Sequence, residues 1–428
     1  MNYNEAMQYI HGLMRFGSKL GLTRIRELLH RLDNPQKKTK FIHVAGTNGK
    51  GSTVTMLSEI LSHAGYRTGK YTSPYVFEFR ERIAINGNMI EKDALCELTE
   101  RISLVCEQMR QDGFDDITEF EFITVLAFCY FAEKACDVVV LEVGLGGRFD
   151  ATNVIDAPLV SVITPLSLDH TAVLGDTIEE IAYEKCGIIK TSSPVVLYPI
   201  QESGALATVR KTAAERHCTL IVPDIDELQI LQCDLTGNHF MYRGKEYQQG
   251  LLGEYQIYNA LTVLETVEVL RQSGMTIGQE AVCYGLKHCH MPARFDKVSD
   301  KPLIIMDAGH NPQGIDALTA LMDKMRNCRF RVIFTVMADK EYEYAINALS
   351  SRTDSFYAVT LKDFPRALDA ESIAGIASRN CKNTRVADDV SSAINIALAD
   401  VGNDCLLICG SFYIMEQALS ALKNKGIL

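Results

Sequence analysis

Apolar residues return along this chain in two alternating rhythms. Short strand-like runs, FIHVA (Phe41 to Ala45), RTGKYT, DVVVLEV (Asp137 to Val143), LVSVIT (Leu159 to Thr164) and PVVLYP, are separated by stretches such as STVTMLSEILSHAG, whose apolar positions recur at helical spacing. This alternation predicts a mainly parallel sheet with helices on both faces. From Leu220 to Leu252 the rhythm changes to short segments, LQILQCDL, HFMYRG and EYQQGLL, which predict an antiparallel appendage, and a long helix is expected from about Tyr255 to Arg271. After MPARFDKVSDKP it resumes with LIIMDAG, RVIFTVM, SFYAVT and DCLLICG, each leading into a helical stretch. The prediction is a second, smaller α/β domain, with a hinge near Met291 to Asp300, where Pro292, Pro302 and charges interrupt the pattern.

Composition narrows the class of protein. A chain of 428 residues with 47% hydrophobic content can bury a sizeable core in two or three domains. A formal net charge of -11 argues against nonspecific nucleic-acid binding. MNYNEAMQYIHGLM is amphipathic without a signal-peptide layout, and no apolar run approaches a membrane span, so a cytoplasmic location is expected. The 13 cysteines form no CxxC pair and sit in apolar segments, as do Cys129, Cys136 and Cys409, which reads as buried reduced thiols. His288–Cys289–His290 is too tight for a zinc framework and reads as structural.

The candidate chemistry begins in HVAGTNGKGS, where a strand breaks into glycines, a lysine and a hydroxyl just before a helix. Gly46, Gly49 and Gly51 allow backbone N–H groups to approach an anion at a helix N-terminus, with Thr47 and Asn48 completing the loop. Lys50 is placed to neutralise β/γ-phosphate charge, and Ser52 to offer a hydroxyl to Mg²⁺. The spacing departs from a strict Walker A motif because Gly51 stands between Lys50 and Ser52; an ordinary glycine-rich βα turn is the bland alternative. Glu142, His170 and Ser73 each follow a strand of the same sheet and fall at its C-terminal edge. Taken singly, they read equally as a salt-bridge partner, a hydrogen-bonded histidine and a turn opener. Together they form an oxygen-and-imidazole set suited to Mg²⁺ or Mn²⁺.

HVAGTNGKGS, YTSP, ERIAING, ITEFEFIT, LEVGLGGRFDATN, LDH, EKCGIIK, MPARF and DAGHNP occur in the order found in folylpolyglutamate synthases and dihydrofolate synthases, and the chain resembles this branch of the Mur-ligase superfamily over nearly its whole length. The resemblance implies a mainly parallel-sheet P-loop-type ATPase domain over residues 1–293, carrying the folate or pterin loops. It also implies a smaller Rossmann-like α/β ligase domain over 294–428 on the glutamate side. The implied activity is an ATP-dependent acid–amino-acid ligase. It joins L-glutamate to dihydropteroate or to folates through an acyl phosphate, either as a bifunctional enzyme or as a folylpolyglutamate synthase alone. Carried over by position, Lys50 and its neighbours hold ATP phosphates, and Ser52, Ser73, Glu142 and His170 resemble the magnesium ligands. Lys185 matches a lysine that the family carbamylates, providing a ligand for a second metal site. Asn259 resembles the adenine-side contact. Arg294, Asp307 and His310 complete the nucleotide side from the second domain.

For the acceptor, the resemblance points to Lys19 and Leu20, to Thr118, Glu119, Phe120 and Glu121, and to Phe149, Asp150 and Ala151. Phe120 also reads as a core residue of an amphipathic helix. Two departures from the family pattern stand out: Lys19 replaces an acid common in bifunctional members, and DAGHNP stands where DGAHNP is common. The expected partners are small molecules acting on a monomer, with neither nucleic acid nor membrane. The two domains are expected to close over an intermediate that water would destroy. A P-loop kinase or GTPase would want a guanine-reading motif or an acceptor-hydroxyl site, and neither is found. A noncatalytic nucleotide-binding module is the remaining alternative.

Overall fold

The computed structural model describes every residue except 18–20, 326–327, 363, 400–401 and 403, so the expectations for Lys19 and Leu20 lie outside the described residues. The chain divides into two units, one formed by residues 1–229, 241–248 and 256–289, the other by 230–240, 249–255 and 290–428.

In the first unit, strands β1 (Lys40–Ala45), β2 (Thr68–Tyr71), β3 (Ile83–Ile85), β4 (Asn88–Met89), β5 (Val138–Glu142), β6 (Val160–Ile163), β7 (Val195–Leu197) and β8 (Leu220–Ile221) form an eight-stranded sheet in the order β4-β3-β2-β5-β1-β6-β7-β8. The six strands from β2 to β8 in that order are parallel, and β3 and β4 add an antiparallel edge. β1 is central, with Val44 opposite Glu142 of β5 and Ala45 opposite Ile163 of β6. The loop after β1 therefore lies between the loops after β5 and β6, at the sheet edge where α/β proteins bind ligands. Helix α1 (Lys50–His63) follows that loop.

Helix α2 (Glu119–Glu133) corrects the expectation of an amphipathic helix. Every residue from Glu121 to Phe131 is buried, with Phe122, Phe128 and Phe131 in one core with Phe41, Val139 and Leu141. A helix apolar on all sides belongs inside a domain. The appendage also begins later than expected. Leu220–Ile221 joins the large sheet parallel to β7, and the small sheet consists of β9 (Leu228–Asp234), β10 (Gly237–Tyr242) and β11 (Lys245–Gln249). The long helix α4 spans Glu254–Gln272, after a shorter helix, α3 (Ile178–Lys185).

In the second unit, β12 (Asp296–Asp300), β13 (Leu303–Asp307), β14 (Phe330–Phe334), β15 (Ser355–Val359), β16 (Thr384–Ala387) and β17 (Cys405–Cys409) form a sheet in the order β12-β13-β17-β14-β15-β16. The expected hinge is thus partly a strand: Asp296–Asp300 pairs antiparallel with β13, a charged edge strand whose composition hides its pairing. The remaining five strands are parallel, over a core that includes Ile305, Val332, Phe334, Phe356 and Leu407. Among the described residues, no helix is long and apolar enough to cross a membrane. All 13 cysteines are free.

Candidate active site

The loop Gly46–Gly49 is shaped by two glycines. A Cβ on Gly46 would lie 1.9 Å from Thr164 Oγ1, and one on Gly49, whose φ is +77°, would lie 2.7 Å from Asn259 Oδ1. Gly51 needs no such freedom: the helix begins at Lys50, so Gly51 and Ser52 fall within its first turn, where N–H groups and the dipole favour an anion. Neighbouring backbone pins the loop. Thr47 N–H donates to Pro165 O at 2.8 Å, and Thr47 Oγ1 donates to Ser167 O at 3.0 Å. Lys50 Nζ donates to Gly46 O at 2.9 Å and Thr47 O at 3.1 Å, so the ammonium lies folded over the loop.

Lys185 reaches the same carbonyl from the end of α3. It is 5% exposed, and its Nζ donates to Gly46 O at 3.0 Å. Burial and, after it, the charge of Lys50 push its pKa down to about 7, against the opposing pull of Asp169 and Asp150. The 144–150 loop docks on the helix end that presents this lysine. Arg148 N–H donates to Glu184 O at 2.8 Å. A Cβ on Gly147 would stand 2.8 Å from Lys185 O, and one on Gly187 2.3 Å from Arg148 Cα.

Glu142, buried at the end of β5, accepts from Ser73 N–H at 3.1 Å, which unites two of the expected ligand positions. His170 begins the one-turn helix Thr171–Leu174 with φ +53°. Its side chain is 49% exposed, with Nε2 3.9 Å from Asp169 Oδ1. Among the described residues no three His, Cys, Asp or Glu side chains form a ready-made metal cage. A cation here needs hydroxyl and ligand oxygens as well, and the hard-oxygen donors Ser52, Ser73 and Glu142 fit Mg²⁺.

Asn259 lies under the loop. It is 1% exposed, its Nδ2 donates to Gln256 Oε1 at 2.9 Å, and its Oδ1 is buried without a hydrogen-bond partner. Gln256 Nε2 in turn donates to Ser52 Oγ at 3.1 Å. Sequence reasoning missed Gln256 and Thr164. Gln256 was detectable as the i−3 neighbour of Asn259 on one helix face.

In the second unit, the Asp307 carboxylate is buried at the end of β13. It accepts from Phe295 N–H at 2.8 Å and Gly309 N–H at 2.7 Å, and burial raises its pKa, with Arg294 opposing. It thereby fixes the turn that carries Arg294, flanked by Ala293 and Phe295 at φ +56° and +46°. The Arg294 guanidinium lies 4.8 Å from the Phe412 ring centroid, and the His310 ring meets the same phenylalanine edge-on. His310 Nδ1 is 3.0 Å from Ala308 O.

The expected acceptor residues fall into two groups. Several are engaged internally. Thr118 and Glu121 form a reciprocal cap of α2, and Glu121 pairs with Arg24 at 3.1 Å. Asp150 is buried and accepts from Leu145 N–H and Thr152 N–H, and Ala151 is buried beside it. Burial raises the Asp150 pKa. Phe120 packs at Gly144, where a Cβ would stand 2.4 Å from its ring. The others are more open. Glu119 meets His11 at 3.1 Å, and Phe149 is 47% exposed.

Residues 44–267 match the Mur ligase middle domain, and residues 293–412 match the Mur ligase glutamate ligase domain. The dihydrofolate synthase/folylpolyglutamate synthase of Bacillus subtilis (strain 168) is 36% identical over 432 residues, covering 98% of this chain and 99% of that protein. E. coli FolC in complex with DHPP and ADP superposes with a TM-score of 0.85 at 31% identity, covering 98% of each chain. Mycobacterium tuberculosis folylpolyglutamate synthase complexed with ADP and AMPPCP gives a TM-score of 0.87 at 29% identity, again covering 98% of each. The chain belongs to the folylpolyglutamate synthase and dihydrofolate synthase family of Mur ligases.

Proposed function

We propose that this chain is an ATP-dependent ligase that joins the amino group of L-glutamate to a carboxylate of dihydropteroate and of folates. The observation that carries the reading is the convergence of Lys50 and buried Lys185 on the Gly46 carbonyl, at the same sheet edge as the Ser73–Glu142 contact. A carboxylate resists amine attack because its oxygen is a poor leaving group. Transfer of the γ-phosphoryl group of ATP to that oxygen gives an acyl phosphate and ADP. The glutamate amine then adds to the acyl carbon, loses its proton, and the tetrahedral adduct expels phosphate.

Lys50 and the Gly46–Gly51 backbone hold the phosphates and offset the charge that builds during transfer. Ser52, Ser73, Glu142 and His170, with Lys185 as its carbamate, hold two Mg²⁺ ions, which when bound supply Lewis-acid stabilisation of the transferring phosphoryl group. Lys185 suits carbamylation because CO₂ reacts with a neutral amine, and its pKa of about 7 leaves a large neutral fraction near pH 7. The unpartnered Asn259 Oδ1 suits a donor on the nucleotide. Arg294, Asp307 and His310 serve the nucleotide side, with Asp307 acting through the Arg294 turn. On the acceptor side, Phe149 and Glu119 are the more open contacts. Phe120, Thr118, Glu121, Asp150 and Ala151 shape the surrounding wall, and Lys19 and Leu20 complete the assignment. The enzyme is read as a cytoplasmic monomer.

A second reading, polyglutamylation alone, is favoured by Lys19 in place of an acid common in bifunctional members. The test supplies ATP and labelled glutamate with either dihydropteroate or tetrahydrofolate. Label incorporated with both acceptors supports bifunctionality, and incorporation with tetrahydrofolate alone supports the second reading. Acceptor-dependent ADP release should vanish in Glu142→Ala. Absence of ADP release with either acceptor removes the ligase assignment.

A further inference from the structure

His290 ends the tight His288–Cys289–His290 cluster, and its imidazole reaches forward along the chain to Asp296. Nε2 lies 3.0 Å from Asp296 Oδ1, with the histidine side chain 70% exposed and that of the aspartate 7% exposed. A carboxylate oxygen accepts, so His290 presents Nε2–H to it. Asp296 opens β12 opposite Met306 of β13, and its other oxygen accepts from Ala293 N–H at 3.3 Å. Ala293 O in turn accepts from Ala308 N–H at 2.9 Å, and Phe295 N–H donates to Asp307 at 2.8 Å. The turn between His290 and Asp296 therefore hangs from two carboxylates, one on each of two paired strands. It needs such anchors. Ala293 and Phe295 hold φ +56° and +46°, a left-handed region disfavoured by residues with a Cβ, and Arg294 stands between them. Strained backbone of this kind persists only where its surroundings over-determine it.

We propose that His290 is a positioning residue for Arg294: by holding Asp296 Oδ1 it turns Oδ2 onto the Ala293 N–H, and so keeps the strained turn that presents the guanidinium to a nucleotide. Asp307 secures the far side of that turn through Phe295 N–H, and His290 with Asp296 secures the near side through Ala293 N–H. The side chains of the two flanking residues are buried, which leaves the conformation of the turn, more than its packing, to these hydrogen bonds. The inference rests on the reading of Arg294 as a nucleotide contact given above.

The test titrates ADP in MgCl₂ by calorimetry into the full chain, His290→Ala, His290→Gln, Arg294→Gln and the variant carrying both His290→Ala and Arg294→Gln. His290→Ala should bind ADP about two- to tenfold more weakly, the population shift that one lost hydrogen bond permits. His290→Gln, whose amide can donate to the same oxygen, should restore most of that affinity. Arg294→Gln should lose at least as much as His290→Ala, and combining the two should remove no more. The His290 side chain is largely exposed, so its removal opens no core cavity and the variants should stay folded, which melting curves check. Undiminished affinity in His290→Ala overturns the inference. So does a loss that adds in full to that of Arg294→Gln, the mark of a merely structural role, and so does a glutamine variant as weak as the alanine one. An Arg294→Gln variant that binds as tightly as the wild type removes the nucleotide role of Arg294 and this inference with it, leaving the phosphate-loop reading in place. A wild type that binds no ADP removes the nucleotide reading itself.

Discussion

Lys185 differs from an ordinary helical lysine in being buried and in sharing a carbonyl with a second ammonium, that of Lys50. Its folded pKa of about 7 lies below the ordinary 10.5. Between those values the folded state therefore binds fewer protons at this site than the unfolded chain does, and stability rises with pH across that window. Below about 7 the lysine is charged in both states, and the whole penalty of burying that charge is present. In CO₂-free buffer Lys185→Met should consequently melt above the wild type at pH 6, with the gap narrowing toward pH 9. Thermal scans at the two pH values check this, and a gap that widens with pH contradicts the assignment. If the amine forms the carbamate proposed above, turnover follows CO₂. Wild-type activity should fall in CO₂-depleted buffer and recover with bicarbonate, whereas Lys185→Met should stay depressed by on the order of 100-fold in either case.

At the scale of elements, the position of Lys185 depends on two loops meeting backbone to backbone. Gly187 lets residue 148 approach, and a methyl group there meets the Cα and N of Arg148 at 2.3 and 2.5 Å, atoms that cannot swing aside. Gly187→Ala should cost about 1–3 kcal/mol, the usual range for overpacking, and lower kcat even with excess bicarbonate. Calorimetry and steady-state rates check it; unchanged melting and rate would show that the two loops need no such close approach. This contact was invisible in the sequence, because EKCGIIK and GLGGRF lie far apart in the chain and nothing in either encodes their docking. The phosphate loop was legible for the opposite reason: strand, glycines and helix are adjacent, and local rules place them. The strand Asp296–Asp300, inside the segment expected as a hinge, was not legible because an edge strand needs no apolar run. Glu121 and Asp150, expected on the acceptor side, also hold backbone N–H groups and Arg24, and no spacing rule anticipates such tertiary partners.

For the whole molecule, two α/β sheets repeat one plan, placing Gly46, Ser73 and His170 after strands of the first, Glu142 at a strand end of the same sheet and Asp307 at a strand end of the second. A chain of net charge -11 that handles anionic substrates has to place positive charge locally, as Lys50 does over the phosphate loop. The thiols test the rest of the interior. Burial pushes Cys106 and Cys186 up to about 12 and Cys129 and Cys136 up to about 11, so at pH 8 almost none of these is thiolate. Cys328 moves the other way, its thiol held below the ordinary value by a hydrogen bond with Cys405. It is also only partly buried. A chromogenic disulfide reagent should therefore count all 13 thiols in guanidinium but show a small fast phase in the native protein, which Cys328→Ser removes. Dithiothreitol should leave the melting temperature unchanged, because no disulfide contributes to the fold. A denatured count below 13 would reveal a bond absent from this structure, and a fast phase that survives Cys328→Ser would place the accessible thiolate elsewhere.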